Sequence, residues 1–193
     1  MIFNPDEFKI ITNSDFLKQK KKLINTISET FVRDISNIHS QELSRLESKA
    51  VTKFSSKLSR GENYLELPYV VFDHPNSFQL ESTYAFRTMF WWANEFSATI
   101  HLGGTFLNEN GFKLIKEEKQ LKKLDAHICI NQTPWDYHFN ETNYLPINEI
   151  ERFDLSPYLK KGFLKIAIKE DLDNYKGFLS RTKRLYAIFL KCF

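Results

Sequence analysis

From Asn13 or Ser14 onward, apolar residues recur at three- and four-residue steps: Phe16, Leu23, Ile24, Ile27, Phe31, Ile35 and Ile38. That spacing marks one face of an amphipathic helix, and the Asp and Ser at its start suit capping. The stripe runs on through Leu43, Leu46, Ala50, Phe54 and Leu58 to a stop at Gly61. A single helix over 14–59 would be about 68 Å long at 1.5 Å per residue, whereas a globule of this size is about 40 Å across. The pattern therefore predicts two helices, with the break in "DISNIHSQE" (34–42) and Ser40 able to cap the second.

After "RGENY" the period changes to two. "LELPYVVFD" (65–73) reads as a strand ending at the turn signal "HPNS", with Pro68 pointing to an edge or a bulge. Residues 84–92 and 97–102, joined through "ANEF", read as an antiparallel hairpin. Asn110-Gly111 is a hairpin-turn signal, but the Glu and Lys residues after it favour a helix over 112–124. "AHICINQ" (126–132) and "GFLKIAIK" (162–169) alternate as strands, and helical spacing returns over 171–192 through Tyr175, Leu179, Leu185, Ile188 and Phe189. Between them, 133–161 has three prolines and little periodicity, yet Trp135, Tyr137, Phe139 and Tyr144 argue against disorder. The elements predict a single α+β domain over 1–193: two N-terminal helices, a largely antiparallel sheet of four to five strands, an intervening helix and a C-terminal helix.

Composition agrees with one well-filled core, since aromatic residues make up 15% of the 193 and Gly and Pro number only six each. A net charge of +3, from 27 basic and 24 acidic residues that interleave, speaks for solubility rather than for a polyanionic partner. Lys18, Lys20, Lys21 and Lys22, like Arg181, Lys183 and Arg184, sit on helical segments where such residues form a solvated face; nucleic-acid binding would need a basic patch interleaved with aromatics. Cys129 and Cys192 read as free thiols of a reducing compartment. The start "MIFNPDEFKII" has neither the basic opening nor the apolar run of a signal peptide, and no membrane span is evident. Cytoplasmic location is the expectation.

Strand alternation supplies the candidate chemistry. Ala98, Ile100 and Leu102 face away from Ser97, Thr99 and His101; Ala126, Ile128 and Ile130 from His127, Cys129 and Asn131; Leu164, Ile166 and Ile168 from Lys165, Ala167 and Lys169. One sheet face is thus apolar and the other semipolar. In "YAFRTMFWW" (84–92), Tyr84, Phe86, Phe90 and Trp92 share one side while Arg87, Met89 and Trp91 share the other. Gathered on the semipolar face, Arg87, Trp91, His101 and His127 would form a ligand-binding surface, with Trp91 as its apolar wall and the Arg87 fork for a carboxylate or phosphate. That reading makes the chain a non-enzymatic binding module for a small polar or anionic ligand, or for a protein partner. The competing reading has the 133–161 aromatics cover this face, leaving Trp91 as a second-core residue.

Two other function classes stand beside it. An enzyme would use His101 or His127 as acid/base or metal ligand. Asp73-His74 and His138 add little to a metal site, because no H-E-x-x-H or tight ligand spacing exists, and no nucleophile identifies itself. Gly103-Gly104 follows a strand but belongs to neither phosphate-loop pattern, so no cofactor is predicted and a tight corner is the simpler reading. The third class is an interaction protein working through its amphipathic helices. The block "GENYLELPYVVFDHPNSF" with "FRTMFWW" after it resembles a segment of small bacterial proteins of unknown function, over residues 61–104. The resemblance implies a bacterial cytosolic protein and carries no activity, cofactor or catalytic residue.

Overall fold

The alternating segments do pair, in a computed structural model that describes residues 2–45, 55–79 and 81–193. Among these, seven strands form one sheet: β1 (Ser55–Tyr64), β2 (Leu67–Phe78), β3 (Ser82–Trp91), β4 (Glu95–Gly103), β5 (His127–Cys129), β6 (Tyr144–Pro146) and β7 (Phe163–Asp171). Their order is β1-β2-β3-β4-β7-β5-β6, with every neighbouring pair antiparallel. Four to five strands is therefore an undercount. Strand β1 occupies Leu58 and Gly61, where the helical stripe had been extended, and β6 lies inside 133–161. The remaining positions of that stripe, Leu46, Ala50 and Phe54, lie outside the described residues.

The β1–β2 hairpin turns on Leu65 and Glu66, both at positive φ (48° and 67°), the hand that matches strand twist in a two-residue turn. Strand β2 passes through "HPNS" instead of ending there. A register shift between Asp73 and Asn76 absorbs the interruption, and the His74–Pro75 peptide is cis. Pro68 is on an interior strand, not an edge, but it is the second residue of β2, beside the turn, where proline is tolerated.

Helix α2 (Ser14–Leu43) runs unbroken through 34–42, where two helices were expected to part, and an unpredicted helix α1 (Pro5–Thr12) precedes it, with Asn13 between them. Asn13 does both capping tasks: its N–H donates to the Ile10 carbonyl (3.2 Å) and its side chain accepts from the Phe16 N–H (3.0 Å). Ser40 is a helix-interior residue whose Oγ donates to the Ser36 carbonyl (3.0 Å). At 30 residues, α2 is about 45 Å long. It fits because its start projects beyond the sheet; every residue from 2 to 19 is exposed. The predicted helix over 112–124 is two, α3 (Gly104–Ile115) and α4 (Glu118–Lys123), with Asn110-Gly111 inside α3. Short α5 (Ser156–Lys161) precedes β7, and α6 (Tyr175–Leu190) closes the chain.

One sheet face carries the main core. Phe31 and Ile35 of α2, Leu107 of α3, and Leu185 and Phe189 of α6 pack with Phe72, Phe86, Ile100, Leu164 and Ile166, all nearly or fully buried. Trp92 joins this core from the end of β3. Gly104 makes the corner from β4 into α3 at φ +56°, where an added Cβ would sit 2.1 Å from the Glu81 carbonyl oxygen. Among the described residues no helix is long and apolar enough to cross a membrane.

Candidate functional site

The opposite face holds the semipolar residues in rows set by strand register. Asp73, Arg87, Thr99, Ala167 and His127 form one row, and Ala85, His101 and Lys165 the next. With strands about 4.8 Å apart and residues about 3.4 Å apart along them, the four sequence candidates spread out. Arg87 and His101 are diagonal neighbours. His127 is three strands from Arg87, and Trp91 four residues along β3 from it, each about 14 Å away.

Residues 130–143 lie over the middle of this face, and Tyr137 is its centrepiece. The Tyr137 ring has the Arg87 guanidinium 4.5 Å from its centroid and the Lys165 ammonium 4.0 Å from it. Tyr64 ties the segment down from β1, its hydroxyl accepting from the Tyr137 N–H (2.6 Å) and the His138 N–H (3.1 Å). From below, Lys165 donates to the Asp136 carbonyl (2.5 Å) and Lys161 to the carbonyls of Cys129 and Asn131 (2.9 Å each). Buried Asn143 donates to the His138 carbonyl (2.7 Å). The segment is a fastened cover rather than an open rim.

Beneath it, the Arg87 fork is already filled. Its Nε and Nη2 donate to the two carboxylate oxygens of buried Asp73 at 2.7 and 2.8 Å. Burial pulls the Arg87 pKa down, but the Asp73 hydrogen bond and the charges of Tyr137 and Asp73 together hold it above the ordinary arginine value. His101 is 4% exposed, and burial, with Lys165 and Arg87 adding, pushes its pKa down to about 3. It is a neutral imidazole among Phe78, Trp135 and Phe163. Burial also lowers Lys165 to about 8 and raises Tyr137 to about 12. Trp91 belongs to a second small core with Val71, Met89, Tyr137, Tyr64 and Tyr69, and its indole N–H donates to the Tyr64 carbonyl (3.1 Å).

His127 is the candidate that lines a surface cleft. At the β5–β6 end the face opens into a cleft of about 490 Å³ lined by His127, Phe139, Asn140, Glu141, Tyr144, Leu145, Pro146, Glu149 and Lys169. Its aromatic wall is built in layers: Phe139 stacks on Tyr144 (4.6 Å, 15°) and meets the His127 ring edge-on (5.2 Å, 88°). The Lys169 ammonium lies 5.5 Å from the Phe139 centroid. Burial, then the charge of Lys169, lower the His127 pKa, so its ring is neutral at pH 7 and offers hydrogen bonding without charge.

Asp73, Lys165, Lys169, Tyr137 and Phe139 complete these two clusters but were not singled out from the sequence. Lys165 and Lys169 were legible, since "LKIAIK" places both on the semipolar face. Asp73 was not, because strand register decides where it falls; the competing reading, in which aromatics of 133–161 cover this face and Trp91 packs in a second core, is the one Tyr137 fulfils. Among the described residues no group of three or more His, Cys, Asp or Glu could hold a metal ion. His74 instead stacks on Phe72 and meets His39, and His138 lies 3.0 Å from the Tyr64 hydroxyl. Compared with protein-family models, curated proteins and solved structures, the chain matches none, and the reading of its site rests on its own geometry.

Proposed function

We propose that the protein is a cytoplasmic binding module for a small polar molecule, seated in the cleft between His127, Phe139 and Lys169. The observation that carries this reading is the cleft itself, the part of the semipolar face that 130–143 leaves open. Its volume falls in the usual range for small-molecule sites, roughly 300–1,000 Å³. Its chemistry narrows the class. Lys169 suits one carboxylate or similar anion, while Glu141 and Glu149 on the same lining oppose a second negative charge and suit an amine. Neutral His127 and the Asn140 amide add uncharged hydrogen bonding, and Phe139 a flat apolar contact. A small zwitterion fits this set better than a phosphate or dicarboxylate. The two thiols, both free and buried, accord with a reducing compartment.

Thermal unfolding in the presence of millimolar zwitterions, monoanions and dianions tests the proposal. A zwitterion present at about ten times its Kd should raise Tm by about 4 °C. Lys169→Ala should abolish that rise while leaving the unliganded Tm nearly unchanged, because the Lys169 side chain is exposed. The reading fails if no member of the panel shifts Tm, or if the shift survives in Lys169→Ala.

A further inference from the structure

Among the described residues, helix α1 is well formed but buries none of its side chains. Pro5 opens it, and Asn4 and Glu7 cap it reciprocally: the Asn4 side chain accepts from the Glu7 N–H (2.9 Å) and the Glu7 carboxylate accepts from the Asn4 N–H (2.8 Å). None of its residues is buried, and Phe8, Ile10 and Ile11 are 55%, 66% and 53% exposed. Eight residues are too few for a helix to sustain itself in water. Its apolar side therefore needs a cover. Helix α2 shows the same overshoot, because the stripe that Ile24, Ile27 and Phe31 bring to the core continues outward to exposed Phe16 and Leu17.

Where α2 leaves the body it borders β1 across a groove of about 350 Å³. Leu17 and Ile24 give this groove an apolar lining, and Lys20, Lys21 and Arg60 make it basic; its carboxylate, Glu62, is paired with Lys20. Charge along the arm is divided to match. Within α1 Asp6 and Glu7 outnumber Lys9, which pairs with Asp6 in an exposed contact that leaves the helix net acidic, whereas 18–22 hold four lysines and no acid, Lys18 being paired with Asp15 and Lys20 with Glu62.

We propose that α1 of a second copy of this chain docks in this groove, the two arms exchanging reciprocally about a two-fold axis. One symmetry operation then satisfies both features, because antiparallel arms bring each acidic, apolar α1 against the basic, apolar groove of the other copy. The chain's own α1 does not do this, since antiparallel neighbouring helices need a loop of about two to five residues and only Asn13 separates α1 from α2. Exposed Phe8, Ile10 and Ile11 of α1 and Phe16 and Leu17 of α2 extend the apolar contact beyond the groove, toward the about 800 Å² per partner of a standard specific interface. This inference stands apart from the ligand cleft at the other end of the sheet.

Sedimentation equilibrium of the full chain, at low salt and micromolar to submillimolar concentration, tests it. The wild type should be a dimer, and Phe8→Ser with Ile11→Ser should make it a monomer whose far-UV helix signal falls by no more than the eight residues of α1. Asp6→Lys and Lys21→Glu should each weaken the dimer roughly tenfold, and the two together should recover most of the loss. A wild type that stays monomeric overturns the proposal, as does a dimer indifferent to the Phe8 and Ile11 changes. Failure of the double charge reversal to recover would overturn the reciprocal pairing. A monomer that instead binds phosphatidylserine-containing vesicles through the same apolar residues would assign the arm to a membrane surface and overturn it too.

Discussion

Arg87 and Asp73 are charged residues held under a tyrosine ring, and their stability is mutual. Each compensates a charge that would otherwise lie desolvated: Arg87 has 16% of its side chain exposed and Asp73 has 3%. Arg87→Ala or Asp73→Ala should therefore cost about 3–5 kcal/mol in urea unfolding, since each strands the other charge. Replacing both by apolar residues of similar size, Arg87→Met with Asp73→Leu, should recover most of that loss. Arg87 was legible as an inward-pointing residue of the semipolar face. Its partner was not, because a bulge lies just beyond Asp73 and shifts the rest of β2, and no local pattern places that bulge. Trp91 and Trp92 follow the same logic: alternation assigned them to opposite faces, and only the cover over one face made Trp91 a packing residue.

At the scale of elements, the two left-handed glycines separate conformational strain from crowding. Gly162, at φ +82°, has open space where a Cβ would go, and Gly162→Ala should cost only the left-handed penalty, about 1–2 kcal/mol. Gly104→Ala must also displace the Glu81 carbonyl and should cost about 3 kcal/mol or more, read as a lower urea midpoint. Residues 130–143 have a comparable pivot. Tyr137→Ala removes the ring that covers both Arg87 and Lys165, and should lower stability by about 3–5 kcal/mol. The strands of the sheet centre were readable from alternation, as were α6 and the β3–β4 hairpin. The β1–β2 hairpin was not, because its turn uses Leu65 and Glu66 in conformations that glycine or asparagine normally signal. The break expected in 34–42 followed from reading the stripe as helical to 59; with α2 ending at Leu43 and β1 starting at Ser55, no helix of that length exists to be broken.

For the whole molecule, acidification is the informative stress. Burial, with His39 adding, lowers the His74 pKa from 6.5 to about 4, and that of His101 falls to about 3. Folded protein thus keeps both rings neutral at pH values where the unfolded chain takes up protons. Stability is full above pH 6.5 and declines as pH falls from there, toward about 4 for His74 and about 3 for His101, by at most about 1.4 kcal/mol per unit for each histidine. Tm measured at pH 7, 5.5 and 4.5 should decline accordingly, and His101→Gln should flatten the slope. A slope unchanged in that variant would mean that other groups govern the acid limb.

What the chain determined by itself was periodic and local: which segments alternate, which spiral, and which residues of each face inward. Those properties depend on steric preferences and on the fixed repeats of strand and helix, so they survive without knowledge of neighbours. Tertiary structure alone decided register, the bulge in β2, the path of 130–143 and the overhang of the N-terminal arm. Each of these is settled by contacts between residues far apart in sequence. Such contacts closed the middle of the semipolar face around Arg87 and His101, left it open at His127 and Lys169, and carried α1 beyond the reach of its own core.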